Sequence, residues 1–318
     1  MKILSLAVLF CSIVVLHGYV SKGGDLKDDK QSPLQHKLMK LRPDAVWKQI
    51  AAVPLHFSAG HPQGMVKIGD YFFMTSVKVK KWPKKYAEQN KEYDRDAGEG
   101  VGHLYKFDKE GKLLSDITLG EGDIYHPGGI DFDGKNIWIP VAEYRPDSRA
   151  IIYNVDPVTM KVTEILRCKD HIGAVVYEPS SRMLTGMSWG AGKFYKWNLK
   201  NREPKVADFF PPLHAADNKS LYINYQDCHY IGNQLMLCSG LGNYKTAEGK
   251  SFSMGGFDII SLKDYRPVSQ LPINLWSPSG RIMTSNPFWV EETATGLRTY
   301  FVPDDDGAAT LFIYEVNI

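Results

Sequence analysis

Short apolar runs alternate with turn-forming residues along most of the chain, at intervals too short for long helices. The pattern is clearest between His126 and Leu166. There Gly129–Phe132, Asn136–Glu143, Ala150–Asn154 and Lys161–Leu166 read as four successive strands, separated by Asp-Gly, a Pro-Asp-Ser loop and an Asp-Pro turn. Gly and Asp accept turn dihedrals, and Pro cannot donate into a ladder. One such meander cannot bury both its faces alone, so it needs sister sheets. The same order of elements returns from His61, from His171, around Gln226 and from Asn286, which marks a repeat protein.

The last repeat stops after three strands, at Thr310–Val316. Upstream of the first repeat, Val46–Leu55 has strand composition and no partner in sequence. A ring of sheets closes by lending a strand from one end of the chain to the sheet at the other, because an open ring leaves two bare edges. These features predict an all-β fold: a β-propeller of five four-stranded blades, with Val46–Leu55 pairing beside Thr310–Val316. Six blades are the alternative, since the spacing of the repeats is loose. A pair of β-sandwiches is disfavoured by the repeats and the complementary ends.

Composition adds limits. The chain has 318 residues, with 38 Lys and Arg against 36 Asp and Glu, a balance that argues against a nucleic-acid binder working through a broad basic surface. Lys2 followed by the apolar run Ile3–Leu16 has the length of a secretory h-region and is short for a membrane span. Residues 1–18 are therefore expected to be a signal peptide, with an uncleaved anchor as the alternative. Residues 19–42 read as a flexible polar tether and 43–318 as one propeller domain. The expected protein is secreted or periplasmic, monomeric, and without a membrane span once the leader is removed. Cys168, Cys228 and Cys238 would remain. A hairpin turning at Gly232-Asn233 places Cys228 and Cys238 on opposite faces of the sheet, so no disulfide is expected between them.

In a propeller, the start of each inner strand and the loop between a blade's second and third strands lie on one face. Here that face collects His61, His126, His171, Gln226 and Asn286 from the strand starts, and all the long insertions from the loops. Such convergence over a rigid scaffold is how binding sites are commonly built. His61, His126 and His171 are candidates for proton transfer or for one divalent metal ion. As plain corner residues they would only tie down backbone. Gln63 and Gln226 are candidate polar orienters and Glu143 a candidate catalytic carboxylate, with Arg145 as its clamp partner. Trp189 and Asn286 are candidate ligand contacts. Asp304–Asp306 reads as a solvated turn more readily than as a Ca²⁺ loop. The chain contains no phosphate loop, dinucleotide glycine fingerprint or His-Glu-x-x-His.

The segments HPQGM at His61, HPGGIDFDGKNIWIPVAEYRPDSR at His126 and NPFW at Asn286 resemble an uncharacterised family of exported bacterial and fungal propellers, a domain of unknown function. That resemblance implies a propeller and export, with no established activity. More distantly the chain is similar to lactonase propellers of the gluconolactonase and paraoxonase type, but their Glu, Asn and Asp calcium ligands have no residue-by-residue match. The expectation is a small-molecule or glycan site at the loop-rich end of the channel, serving a hydrolase or lyase. The competing expectation is a protein-interaction propeller that holds its partner through the insertions Lys78–Lys91 and Tyr244–Met254.

Overall fold

The computed structural model describes residues 31–87, 92–200, 209–220 and 222–318. The expected leader and the first part of the tether lie outside the described residues. Among the described residues, no helix is long and apolar enough to cross a membrane.

The chain forms a five-bladed β-propeller of antiparallel sheets. Helix α1 (Pro33–Lys40) and strand β1 (Lys48–Pro54) come first. Blade one is β2 (His61–Ile68), β3 (Tyr71–Lys81), β4 (Glu99–Asp108) and β5 (Leu113–Leu119). Blade two has an inner strand in two pieces, β6 (Ile124–Pro127) and β7 (Asp131–Phe132), then β8 (Ile137–Glu143), β9 (Ala150–Val155) and β10 (Val162–Cys168). Blade three is β11 (Ile172–Glu178), β12 (Met183–Ser188), β13 (Lys193–Asn198) and β14 (His214–Asp217). Blade four is β15 (Asn224–Gly232), β16 (Leu235–Lys245), β17 (Ser251–Ser261) and β18 (Pro267–Ile273). Blade five is β19 (Phe288–Glu292), β20 (Gly296–Phe301) and β21 (Thr310–Asn317), completed on the outside by β1. The closure follows the expected pairing, in a register that sets Lys48 opposite Glu315 and Pro54 opposite Thr310.

The apolar positions of neighbouring blades meet in five clusters, one at each blade-to-blade interface. Between blades one and two, for example, Phe73 and Leu104 pack with Ile130, Ile139 and Ile151. At the axis the inner strands come closer than side chains allow, and the glycines of HPGG make this possible. A Cβ on Gly128 would lie 2.0 Å from the Gly173 carbonyl oxygen, and one on Gly129 would lie 2.7 Å from that of Gln226.

Two buried carboxylates then pin all five inner strands. Asp227 accepts from the backbone N–H of Met65 (2.9 Å), Ile130 (2.9 Å), Cys228 (3.1 Å) and Phe288 (3.4 Å). Asp131 accepts from Tyr177 (2.9 Å) and Tyr230 (3.2 Å). Burial pushes Asp131 up to about 7 and Asp227 well above the ordinary carboxylate range, against the pull of these donors. His229 lies beside both and donates from Nε2 to the Phe288 carbonyl at 3.0 Å. Burial pushes its imidazole down to about 4.

Two expectations are corrected. The tether is ordered from residue 33, because Ser32 and Gln35 form a capping box, Pro33 occupies the first turn, and Leu38 and Leu41 bury against blades four and five. The Cys228–Cys238 disulfide is formed. The hairpin turns at Asn233-Gln234, both with positive φ (50° and 55°), and a bulge between Tyr230 and Gly232 brings Cys228 directly opposite Cys238. The outer strand of blade three is His214–Asp217, placed just after Pro211 and Pro212. Pro211 and Pro212 donate no N–H, so the ladder resumes only beyond them.

Candidate functional site

The face predicted from the repeat grammar carries a cavity of about 270 Å³ at the mouth of the channel. Its walls include His61, Gln63, His126, His171, Trp189 and Gln226, all expected there, with Tyr144, Ser188, Asn224 and Tyr225 beside them. His61, His126 and Gln226 come from inner strands. His171 lies just before β11, while Tyr144 and Trp189 follow β8 and β12.

His126 is the centre of this wall. It is 7% exposed, and neither ring nitrogen has a hydrogen-bond partner among the described residues. Its ring packs on Tyr144 at 4.0 Å between centroids and stands 6.0 Å from that of His171. Burial first, then the neighbouring charges of His171 and His61, push His126 well below the ordinary histidine range, so it is neutral at pH 7. His171 is held differently. Its Nδ1 donates to the Glu143 carbonyl at 2.8 Å, leaving Nε2 as the acceptor, and burial pushes it down to about 4. Trp189 meets the His171 ring edge-on at 4.8 Å, and the Arg95 guanidinium lies over the Trp189 ring at 5.1 Å from its centroid.

His61 is the partly exposed member, with 26% of its side chain open. Its Nδ1 lies 2.8 Å from Asp305 Oδ1. Asp305 also accepts from Arg281 (2.7 Å) and Asn286 (3.5 Å), and the Asp306 N–H ties the loop to the Gly60 carbonyl at 2.8 Å. Burial alone would raise the Asp305 carboxyl, but the bond and charge of His61, with Arg281 and Asn286, outweigh it and hold it below its ordinary value.

Other expected site residues are elsewhere. Glu143 is wholly buried, and its two carboxylate oxygens are taken by Arg145 and Arg149, so it cannot reach a ligand. Arg145 stacks 3.7 Å over the Tyr93 ring and does not line the cavity. The pair fixes the loop that presents Tyr144. Asn286 is buried and donates to the Pro303 carbonyl at 3.0 Å, supporting the Asp305 loop from behind. Among the described residues, no group of three or more His, Cys, Asp or Glu side chains is placed to share a metal ion. Of the three histidines expected to share one, His61 directs Nδ1 to Asp305 and His171 directs Nδ1 to the Glu143 carbonyl. The acidic turn proved richer than expected: Asp304 accepts from Ser277 (3.1 Å) and Ser279 (2.5 Å), while Asp305 serves His61. Asp305 was not singled out from sequence, although its loop belongs to the same face.

Fold and site together define a five-bladed β-propeller with a polar, aromatic pocket at one channel mouth. The chain belongs to a family of unknown function, DUF6454, which it matches over residues 30–318. No curated protein matches the sequence. Solved structures with a similar chain path include an endo-arabinanase (GH43) from Bacillus licheniformis, at 9% identity and TM-score 0.44, covering 83% of this chain and 95% of that one. A luciferin-regenerating enzyme shows 8% identity and TM-score 0.42, over 86% and 97%. A mannose phosphorylase from Leishmania mexicana shows 9% identity and TM-score 0.43, over 84% and 88%. These are likenesses of fold alone.

Proposed function

We propose that the channel-mouth pocket binds a small, neutral, polyhydroxylated ring molecule of the sugar type. The observation that carries this reading is His126, a buried neutral imidazole with both nitrogens unpartnered. A neutral imidazole has one donor and one acceptor nitrogen, so its ligand must offer both an acceptor and a donor. A hydroxyl does so with one atom. Tyr144 and Trp189 supply ring faces, while Gln63, Asn224 and Gln226 supply amides. None of the residues lining the cavity is Asp, Glu, Lys or Arg, which favours a neutral ligand over an ion. A volume of about 270 Å³ sits at the small end of ligand sites, suiting one ring.

Larger cavities open at the blade margins, such as one of about 420 Å³ lined by Glu121, Arg149 and Arg167. There the charged groups already satisfy one another: Arg167 is bound by Glu121 and Glu164. The channel mouth combines a buried imidazole, unpartnered at both nitrogens, with open volume.

The test is calorimetric titration of the purified chain with a panel of neutral mono- and disaccharides and, in parallel, small anions. A neutral sugar should bind, and His126→Ala should weaken it at least about tenfold, a loss near 1.4 kcal/mol, with little change in melting temperature. Binding confined to anions, or unchanged in the variant, would reject the reading. Export through the leader at residues 1–18 is part of the same proposal, checked by N-terminal sequencing of protein recovered outside the producing cell.

A further inference from the structure

We propose that the pocket is also catalytic, hydrolysing an acyl ester carried by such a ligand, with His61 as general base and Asp305 as its positioning residue. The substrate class rests on the binding reading above; the chemistry rests on different residues. A carboxylate only accepts, so His61 carries a proton on Nδ1 toward Asp305, and Nε2 is the nitrogen left to exchange one with a ligand. A base oriented by a third group is the arrangement that activates a nucleophile. Asp305 is itself fixed by Arg281, Asn286 and the Asp306–Gly60 backbone bond, so the imidazole is held by a braced anchor.

The other groups decide the reaction class. Glycoside cleavage commonly uses two carboxylates flanking the bond, and none lines this cavity. Phosphoryl transfer needs cationic groups on the transferring oxygens, and the lining holds no Lys or Arg. Attack by water on an acyl carbon asks for one base and an N–H donor for the developing oxyanion. His61 supplies the first and the unpartnered His126 the second. Ser188 lines the cavity and its Oγ accepts from the Lys193 N–H at 2.9 Å, but among the described residues no histidine is hydrogen-bonded to it as a base, so water is the nucleophile.

In the first step His61 Nε2 takes a proton from water while the water oxygen bonds to the acyl carbon, and the carbonyl oxygen gains its charge beside the His126 N–H. The acyl C–O bond then breaks, and the departing alkoxide takes the proton back from His61. One ester and one water give one carboxylic acid and one alcohol, and the ring returns to its starting form.

The experiment follows hydrolysis of p-nitrophenyl acetate and of peracetylated glucose by the purified full-length chain near neutral pH. Turnover above the buffer blank is expected. His61→Ala should lower kcat by at least about 100-fold, and added imidazole should restore part of it, a rescue that a purely structural histidine would not show. Asp305→Asn should lower kcat with KM retained, and Asp305→Glu should recover part of the loss. His61→Gln replaces the alanine variant if circular dichroism shows the latter unfolded. No turnover of either ester, or parental turnover in the folded His61 variant, overturns the proposal. Sugar binding without ester turnover overturns it while the binding reading stands. Turnover without sugar binding upholds the catalytic pair and rejects the ligand class.

Discussion

Asp227 offers the sharpest test of how the blades are held in register around the site. Its two oxygens receive four backbone N–H groups from blades one, two, four and five, and the side chain has no exposure. Asp227→Asn keeps size and shape but turns one oxygen into an NH₂ donor. Whichever way the amide sits, two N–H groups face a donor: Met65 with Phe288, or Ile130 with Cys228. A buried donor left unpaired costs roughly 1–3 kcal/mol, so the variant should lose about 2–6 kcal/mol. For a domain somewhat above 200 residues this lowers the melting temperature on the order of 10 °C. The assay is thermal and urea unfolding by circular dichroism, with Asp70→Asn on an exposed turn as the control, expected within about 0.5 kcal/mol of the parent. An Asp227→Asn chain melting within about 2 °C of the parent would mean that the carboxylate does not bind the inner strands together, and the account of the axis would fail.

Further outcomes follow from the same structure. His171 is pushed down to about 4 from 6.5, so its stabilising contribution is complete above pH 6.5 and is lost as pH falls through about 4. The stability difference between the parent and His171→Gln should therefore shrink by about 3 kcal/mol across that window; a pH-independent difference would show that the ring titrates alike in the folded and unfolded chains. Asp131 runs the other way: pushed up to about 7, its contribution is complete below the ordinary carboxylate value and is lost as pH rises through about 7. The difference between the parent and Asp131→Asn, read by urea unfolding, should narrow as pH climbs from 4 to 7, and a difference that widened would contradict it. Gly129→Ala would press a methyl group onto backbone at 2.7 Å and should cost several times more stability than Gly307→Ala, whose Cβ meets nothing within 4 Å. A non-reducing peptide map should recover Cys228 linked to Cys238, with Cys168 as a free thiol; two unlinked peptides would contradict the bulged register.

What the sequence disclosed was whatever repeats. Turn chemistry at each Asp-Gly and Pro, together with apolar runs of strand length, located the blades, and the unmatched Val46–Leu55 announced the closure. The side of the ring that bears the pocket followed from connectivity, which is why His61, Gln63, His126, His171, Trp189 and Gln226 fell together. What escaped were features that happen once. The left-handed Asn233-Gln234 turn has no glycine to advertise it, and a one-residue bulge inverted the expected facing of the two cysteines. Asp131 and Asp227 are isolated acids in strands, and only the closed ring brings them to the N–H groups of other blades. Glu143 sat at the right end of the right strand, yet Arg145 and Arg149, two and six residues on, consumed it locally. The helix at Pro33 was readable, since Ser32, Pro33 and Gln35 spell a capping box; the polar composition around it masked the signal.

The closure of the ring also fixes an order of events during synthesis. Strand β1 leaves the ribosome well before its partner β21, so Lys48 waits for Glu315 while every blade between them is built. The ring can lock only once β21 has been made, and until then β1 is an orphan edge exposed to other newly made proteins. Its own residues suit the wait: Lys48 and Gln49 are solvent-facing and Pro54 ends it, leaving a strand that is poorly adhesive by itself. Truncation within blade five should therefore do more than remove one sheet. It would strand β1 permanently, and such chains should be cleared by proteolysis or accumulate as aggregates with all the other blades already formed.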